Sequence, residues 1–253
     1  MPPAGADPRL QRALAMQRAM HVAAASRVAA GPWGDAFLTP ARPLCHQDNL
    51  VWAAPGAAAA TLAEASERLL PHDDVVVLTA PDPAAGLARR GFAATPECVL
   101  VVDAAPDRDD PAGAREVELA DVLPSMDVWL ATDTVYGRDP EVRAQLLEHH
   151  RTFGAAGAQE RVFGVVEDDV VLAWAKLWRR DGVAQVEDVV VLPSARGRGL
   201  GRGVVTAALR AAAGEELVFL VALEEDWPRR LYAKLGFRPV GGLTVCTRPR
   251  ERR

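Results

Sequence analysis

Lysine is almost missing: two lysines, Lys176 and Lys234, and two tyrosines occur in 253 residues. The other positive charges are arginine, and acidic residues outnumber basic ones to give a net charge of −5. That balance supplies no global basic field, so nucleic acid is not an expected partner. The three cysteines, Cys45, Cys98 and Cys246, are odd in number and far apart. They fit neither a disulfide framework nor a C-x-x-C metal clip, and are expected as free thiols. No run approaches the roughly 18 uncharged apolar residues of a membrane span. The opening "MPPAGADPRLQRAL" lacks the apolar core of a secretory signal, so the expected location is cytoplasmic. His149 and His150 diverge by about 100° on a helix, which is poor geometry for a metal, and none is expected.

What remains is ordinary globular composition, 49% hydrophobic and 25% charged, enough for one large domain or two small ones. "DPRLQRALAMQRAMHVAAAS" reads as a helix with Asp7-Pro8 as cap and first turn. "DAFLT" and "DNLVWAA" read as short strands, "AAAATLAEASERLL" as a helix, "DDVVVLT" as a buried strand, "DPAAGLARRG" as a short helix and "ECVLVVD" as another strand. Residues 103–114, "DAAPDRDDPAGA", are rich in Pro, Gly and Asp and make the best linker. The second half restarts with "AREVEL", two helical stretches, and a hairpin turning at Asp168-Asp169. Then come the strand "AQVEDVVVLP", a glycine loop, the helix "GRGVVTAALRAAAG" ended by Gly214, the strand "ELVFLVALEE", the short helix "WPRRLYAKLG", and two strands, "FRPVG" and "LTVCT". "LARRGFAATP" in the first half matches "YAKLGFRPVG" in the second, each a short helix ending in Gly-Phe before a strand. The first half therefore reads as a degenerate copy of the second.

The loop "LPSARGRGLGRG" lies between a strand and a helix. The first N–H groups of a helix lack intrahelical partners and carry the positive end of its dipole, so this is an anion site. A Walker A loop would need a lysine, and G-x-G-x-x-G fails from both Gly197 and Gly199. What remains is Arg196-x-x-Gly199-x-Gly201. That pattern resembles motif A of the GNAT superfamily of N-acetyltransferases, and "LYAKLGF" resembles the family's motif B with its tyrosine. The resemblance spans roughly residues 115–248.

The resemblance implies a mixed α/β acyl-CoA N-acyltransferase fold, here a tandem: a degenerate unit over 1–102, a linker over 103–114 and a catalytic unit over 115–253. It implies acetyl-CoA as co-substrate, with no metal. Val189, Val190 and Val191 fall where the family's strand meets the pantetheine arm and acetyl carbonyl. Arg196, Gly197, Arg198, Gly199, Leu200, Gly201 and Arg202 fall where backbone amides hold pyrophosphate. Tyr232 falls on the position of the acid that protonates the leaving thiolate. An Asn common seven residues before that tyrosine is here Glu225, which leaves its cofactor contact in doubt. The first half has Leu87 at the tyrosine position and no glycine loop, so it is expected to be silent.

Strand alternation puts Gln185, Glu187, Val189 and Val191 on one face and Asp188 on the other. Glu187 then points to the acceptor amine as base, an assignment that a bulge in this strand would invert. Asp188 or a water chain are the alternatives. Trp129, Trp174 and Trp178 read as core or as pocket walls. The expected activity is acetyl transfer from acetyl-CoA to the primary amine of a small molecule or peptide. Alternatives are a mycothiol-synthase-like tandem enzyme acting on an amino-thiol, and a non-catalytic acyl-CoA-binding regulator. The sequence leaves the oligomeric state open.

Overall fold

The computed structural model describes residues 7–80, 82–103, 112–133, 137–224 and 228–250. In chain order the first elements are α1 (Pro8–Ala24), β1 (Arg27–Gly31), β2 (Gly34–Leu38), β3 (Leu50–Ala53), α2 (Ala59–Leu69), β4 (Asp74–Leu78), α3 (Ala84–Ala88) and β5 (Ala93–Val102). Next follow β6 (Arg115–Val117), α4 (Leu119–Leu130), α5 (Pro140–Gly157), β7 (Gln159–Glu167), β8 (Val170–Arg180) and β9 (Val183–Val191). After a single 3-10 turn at Pro193–Ala195 come α6 (Leu200–Ala211), β10 (Leu217–Leu223), α7 (Pro228–Lys234) and β11 (Arg238–Arg248).

The chain divides into two units, Met1–Val99 with Val240–Arg253, and Leu100–Pro239. The sequence boundary had assigned everything from residue 115 to the second unit. The last strand departs from that because Thr244 to Arg248 pair antiparallel with Leu78 to Asp74 on β4. Arg248 and Arg250 then fix the end of the chain on Asp74, whose side chain is fully buried. Residues 104–111 of the expected linker lie outside the described residues.

In the first unit, Asp7 caps α1 by accepting from Arg9 N–H at 2.9 Å. β1 and β2 form a hairpin, β2 pairs antiparallel with β3, and β3 runs parallel to β4 through the crossover helix α2. β1 was absent from the sequence reading, because "RVAAG" is short, small and half-exposed. β11 is one strand where two were expected.

In the second unit, β6, β7, β8 and β9 form successive antiparallel pairs, and β10 joins β9 in parallel. The β7–β8 hairpin turns at Asp168 and Asp169 as expected, both left-handed at φ 48° and 61°. Helix α6 packs on β7, β8 and β9, while α4 packs on β8 and α5 on β7. Pro124 sits inside α4. α6 ends at Ala211, and Gly214 takes φ 93° beyond its cap. Trp174, Leu177 and Phe219 are fully buried in this core.

Candidate functional site

Two left-handed glycines shape the loop between β9 and α6: Gly197 at φ 78° and Gly199 at φ 79°. Gly199 is also the N-cap of α6 and has no side chain to bond the first turn. The first-turn N–H groups of Arg202 and Gly203 are met by Gly199 O at 3.1 and 3.3 Å. The N–H groups of residues 197 to 201 find no backbone acceptor among the described residues. A Cβ on Gly197 or Gly199 would meet nothing within 4 Å. The loop therefore offers a run of donors at the positive end of a helix, with open space beside Gly197 and Gly199. Arg198 is ion-paired with Glu167, Arg196 Nε donates to Val191 O at 3.5 Å, and Arg202 is exposed. Leu200 is buried and anchors the helix start.

The strand leading into this loop parts from β10 on one side and bulges against β8 on the other. On one side, the parallel register with β10 covers only Val183–Gln185 against Leu217–Phe219. Among the described residues, Val186 to Val191 have no registered partner there. On the other side, Trp174 pairs with Val190 but Lys176 pairs with Glu187. Two steps on β8 thus match three on β9, which is a bulge, and Asp188 sits in it at φ 50°.

This bulge changes the expected faces of β9. Glu187 stands opposite Lys176 and Val190 opposite Trp174, so both share the face that Lys176 presents to α5. Lys176 Nζ donates there to His150 O at 2.8 Å. Val191 faces the other way, with Cγ2 3.3 Å from a Cβ built on Gly201 of α6. The simple alternation had put Glu187 with Val191 and away from Asp188. In the structure Glu187 and Asp188 share a face, and Val191 lies across the strand.

Glu187 Oε2 accepts from Gln185 Nε2. Asp188 is held differently, 2.9 Å from His150 Nδ1 and 3.2 Å from Lys176 Nζ. Burial alone would raise this carboxyl, but the neighbouring charges of His150 and Lys176 outweigh it and hold it far below its usual range. So stabilised an anion is a poor proton acceptor. Glu160 completes the cluster, 3.9 Å from Lys176 Nζ and accepting from Trp178 Nε1 at 2.7 Å. The cluster escaped the sequence reading. Its available signal was a charged residue inside the apolar run "VVLAWAKLW" of a chain with two lysines. On the same side, Trp174 Nε1 and Gln185 Oε1 are buried with no hydrogen-bond partner among the described residues. Trp129 meets Trp174 edge-on, ring centres 6.2 Å apart.

Tyr232 lies on α7, 7% exposed, its ring 5.9 Å from that of Phe237. Its neighbour Leu231 has Cδ2 3.7 Å from a Cβ built on Gly201, so α7, the loop and the end of β9 meet at one place. Glu225 lies outside the described residues.

The first unit repeats this local pattern without its loop. Phe92 N donates to Leu87 O at 3.2 Å across Gly91 at φ 84°, as Phe237 N donates to Tyr232 O at 3.0 Å across Gly236 at φ 90°. Both units run strand, helix, parallel strand, short helix. A cavity of about 380 Å³ opens beyond β3 and β4 in the first unit, lined among others by Gly56, Ala59, Thr79, Asp82 and Arg89.

Comparison with known proteins follows this geometry. Residues 123–237 match the model of the "Acetyltransferase (GNAT) family". A functionally unknown conserved protein from Staphylococcus epidermidis is 13% identical with a TM-score of 0.70, over 90% of this chain and 95% of that one. A GCN5-related N-acetyltransferase from Kribbella flavida is 21% identical with a TM-score of 0.64, over 95% of each chain. A tandem GNAT protein from the clavulanic acid biosynthesis pathway is 18% identical with a TM-score of 0.52, over 77% of this chain and 69% of that one. At such identities these likenesses establish the mixed α/β fold. No helix among the described residues is long and apolar enough to cross a membrane.

Proposed function

We propose, from the match of residues 123–237 to the acetyltransferase (GNAT) family, a family of acyl-CoA-dependent acyl transfer, that the chain is an acetyl-CoA-dependent N-acetyltransferase acting on a primary amine. The observation that carries the reading is the run of N–H groups over residues 197 to 201 with no backbone acceptor among the described residues, at the N-terminus of α6 and with open space beside Gly197 and Gly199. A pyrophosphate suits that donor set, because backbone amides approach it without a Cβ in between. Arg196, Arg198 and Arg202 supply charge at the rim.

From there the opening beside β9 gives an extended pantetheine arm a free backbone edge at Val189, Val190 and Val191, as a peptide strand would add to a sheet. The acyl group then reaches the bulge. Acetyl-CoA supplies an activated thioester whose carbon accepts the amine. Backbone N–H groups of the bulge stabilise the charge that develops on the thioester oxygen. Glu187, on the α5 side, takes the proton of the incoming amine directly or through water. Tyr232 returns a proton to the sulfur: a thiol titrates near ~8.5 and a phenol near ~10, so the transfer is close to balanced. The unpartnered Trp174 Nε1 and Gln185 Oε1 favour the same side of the strand for a polar acceptor, a small molecule or a peptide amine.

The first unit, in this reading, is a degenerate GNAT-like half. It repeats the Leu87–Phe92 turn and the parallel crossover but has alanines where the second unit has its loop. The reading is tested by following thiol release from acetyl-CoA against a panel of small and peptide amines. Amine-dependent release supports it; acyl-CoA binding with no release for any amine would leave a binding protein instead.

A further inference from the structure

Asp188 is the only non-glycine residue of β9 with positive φ among the described residues, and it is not at a turn. A non-glycine residue enters that conformation against its steric preference, and the surrounding structure must compensate it. Three contacts do so: Lys176 at 3.2 Å, His150 at 2.9 Å, and Lys176 back to His150 O at 2.8 Å. Lys176 is fully buried and belongs to β8, while His150 belongs to α5. The carboxylate of Asp188 is therefore fixed from a strand and a helix that are themselves packed. A buried lysine is costly unless fully paired, and here its ammonium meets a carboxylate, a carbonyl and, at longer range, Glu160.

We infer that Lys176 and His150 are positioning residues that lock the left-handed Asp188, and that this lock sets the bulge whose backbone receives the acyl group. The inference rests on the acyl-CoA reading of the site and adds to it the device that shapes the strand. With the lock in place, residues 188 and 189 have no registered partner on β8 or on β10, and Glu187 and Val191 are parted to opposite faces. Without it, a strand "VEDVVV" has every reason to pair regularly with β8, since β-branched residues favour extended backbone. Regular pairing would put residues 188 and 189 in register with β8 and carry Glu187 to the Val191 face, as simple alternation requires. The lock acts through backbone conformation and touches neither phosphate nor thiol.

Three variants and two ligands test it by calorimetry, with no acceptor required. Acetyl-CoA engages the bulge through its acyl group, whereas CoA is held by the loop and the strand edge alone. Lys176→Met should weaken acetyl-CoA about tenfold relative to CoA. Adding Asp188→Gly removes the carboxylate, now held by His150 alone, and supplies a residue that takes positive φ without cost, so the double variant should regain the wild-type ratio of affinities. Adding Asp188→Ala removes the same carboxylate but disfavours positive φ, so that double variant should stay low. Circular dichroism on each variant reports folding separately. Equal ratios in the Gly and Ala double variants, whether both restored or both low, would overturn the lock, because the backbone preference of residue 188 would then make no difference. A Lys176→Met ratio unchanged from wild type would overturn it too. Failure of the unmodified protein to bind either ligand would instead sink the acyl-CoA reading, and this inference with it.

Discussion

A Cβ on Gly201 would stand 3.3 Å from Val191 Cγ2, so the first turn of α6 is pressed against the last residue of β9. Gly197 and Gly199 have the opposite surroundings, with open space where their Cβ atoms would be and backbones at φ 78° and 79°. The three glycines thus serve two needs: Gly201, in the first turn of α6, a close approach of helix to strand, and Gly197 and Gly199 a left-handed path through the loop.

That distinction gives a paired test at Gly199. Asn tolerates left-handed backbone, so Gly199→Asn should keep most of the rise in Tm that a hundredfold excess of CoA over its Kd produces, several degrees for a chain of this size. Gly199→Glu should lose that rise, because its carboxylate stands where phosphate would bind. Scanning calorimetry with and without CoA decides; an equal rise in the two variants would remove the loop from the binding site.

Glu97, in the first unit, offers a pH test away from the site. Desolvation raises its carboxyl to about 7. The folded protein therefore holds this proton more tightly than the unfolded chain. Stability should be highest below the unfolded pKa near 4.5, fall as pH rises towards 7, and level off above it. Glu97→Gln should remove that decline and raise the Tm at pH 8 relative to wild type. An identical pH–Tm slope in the variant would show that Glu97 does not contribute.

The β7–β8 turn carries two left-handed aspartates, Asp168 and Asp169, whereas the β8–β9 turn carries Asp181 and Gly182, at φ 51° and 75°. Both match the positive-φ hairpin turns that favour Asp-Gly. Asp169→Gly copies the second turn into the first and should stabilise the second unit by about 1 kcal/mol. Urea denaturation measures this; a loss of stability would mean that the Asp169 side chain supplies more than its backbone strain costs.

Most of the second unit was legible because each element has its own local signal. Asp168-Asp169 marks a turn, and strand, glycine loop and helix follow in sequence. The bulge was not legible. Glu187, Asp188 and Val189 contain no glycine to announce an extra residue, and the left-handed angle at Asp188 is supplied by Lys176 and His150 from distant segments. Face assignments made by alternation along β9 therefore fail at the residues nearest the chemistry. The pairing of Cys246 with Val76 across β11 and β4 was equally hidden, since strand partners far apart in sequence leave no local pattern.

The two units differ most where the anion would bind. The α2 cap is Ala58 at φ −71°, with Gly56 the one left-handed residue before it, against two left-handed glycines before α6. Titration calorimetry should accordingly find one CoA site per chain. Two sites would show that the cavity of about 380 Å³ in the first unit takes the ligand as well.

Tyr232→Phe tests the chemistry. The ring is buried against Phe237, so phenylalanine keeps the packing and removes only the hydroxyl. If the phenol protonates the departing sulfur, kcat should fall by about 10²–10⁴ when thiolate departure limits the rate. CoA affinity should hold, because the loop amides of residues 197 to 201 are untouched. Glu187→Gln should also lower kcat, but with a different pH dependence. A carboxylate base works only when deprotonated, so wild type loses rate on acidification through that group while the glutamine variant is flat there. Turnover by Tyr232→Phe within twofold of wild type, on an amine for which chemistry is rate-limiting, would make Tyr232 a packing residue. The proton for the sulfur would then have to come from water or from the acceptor itself.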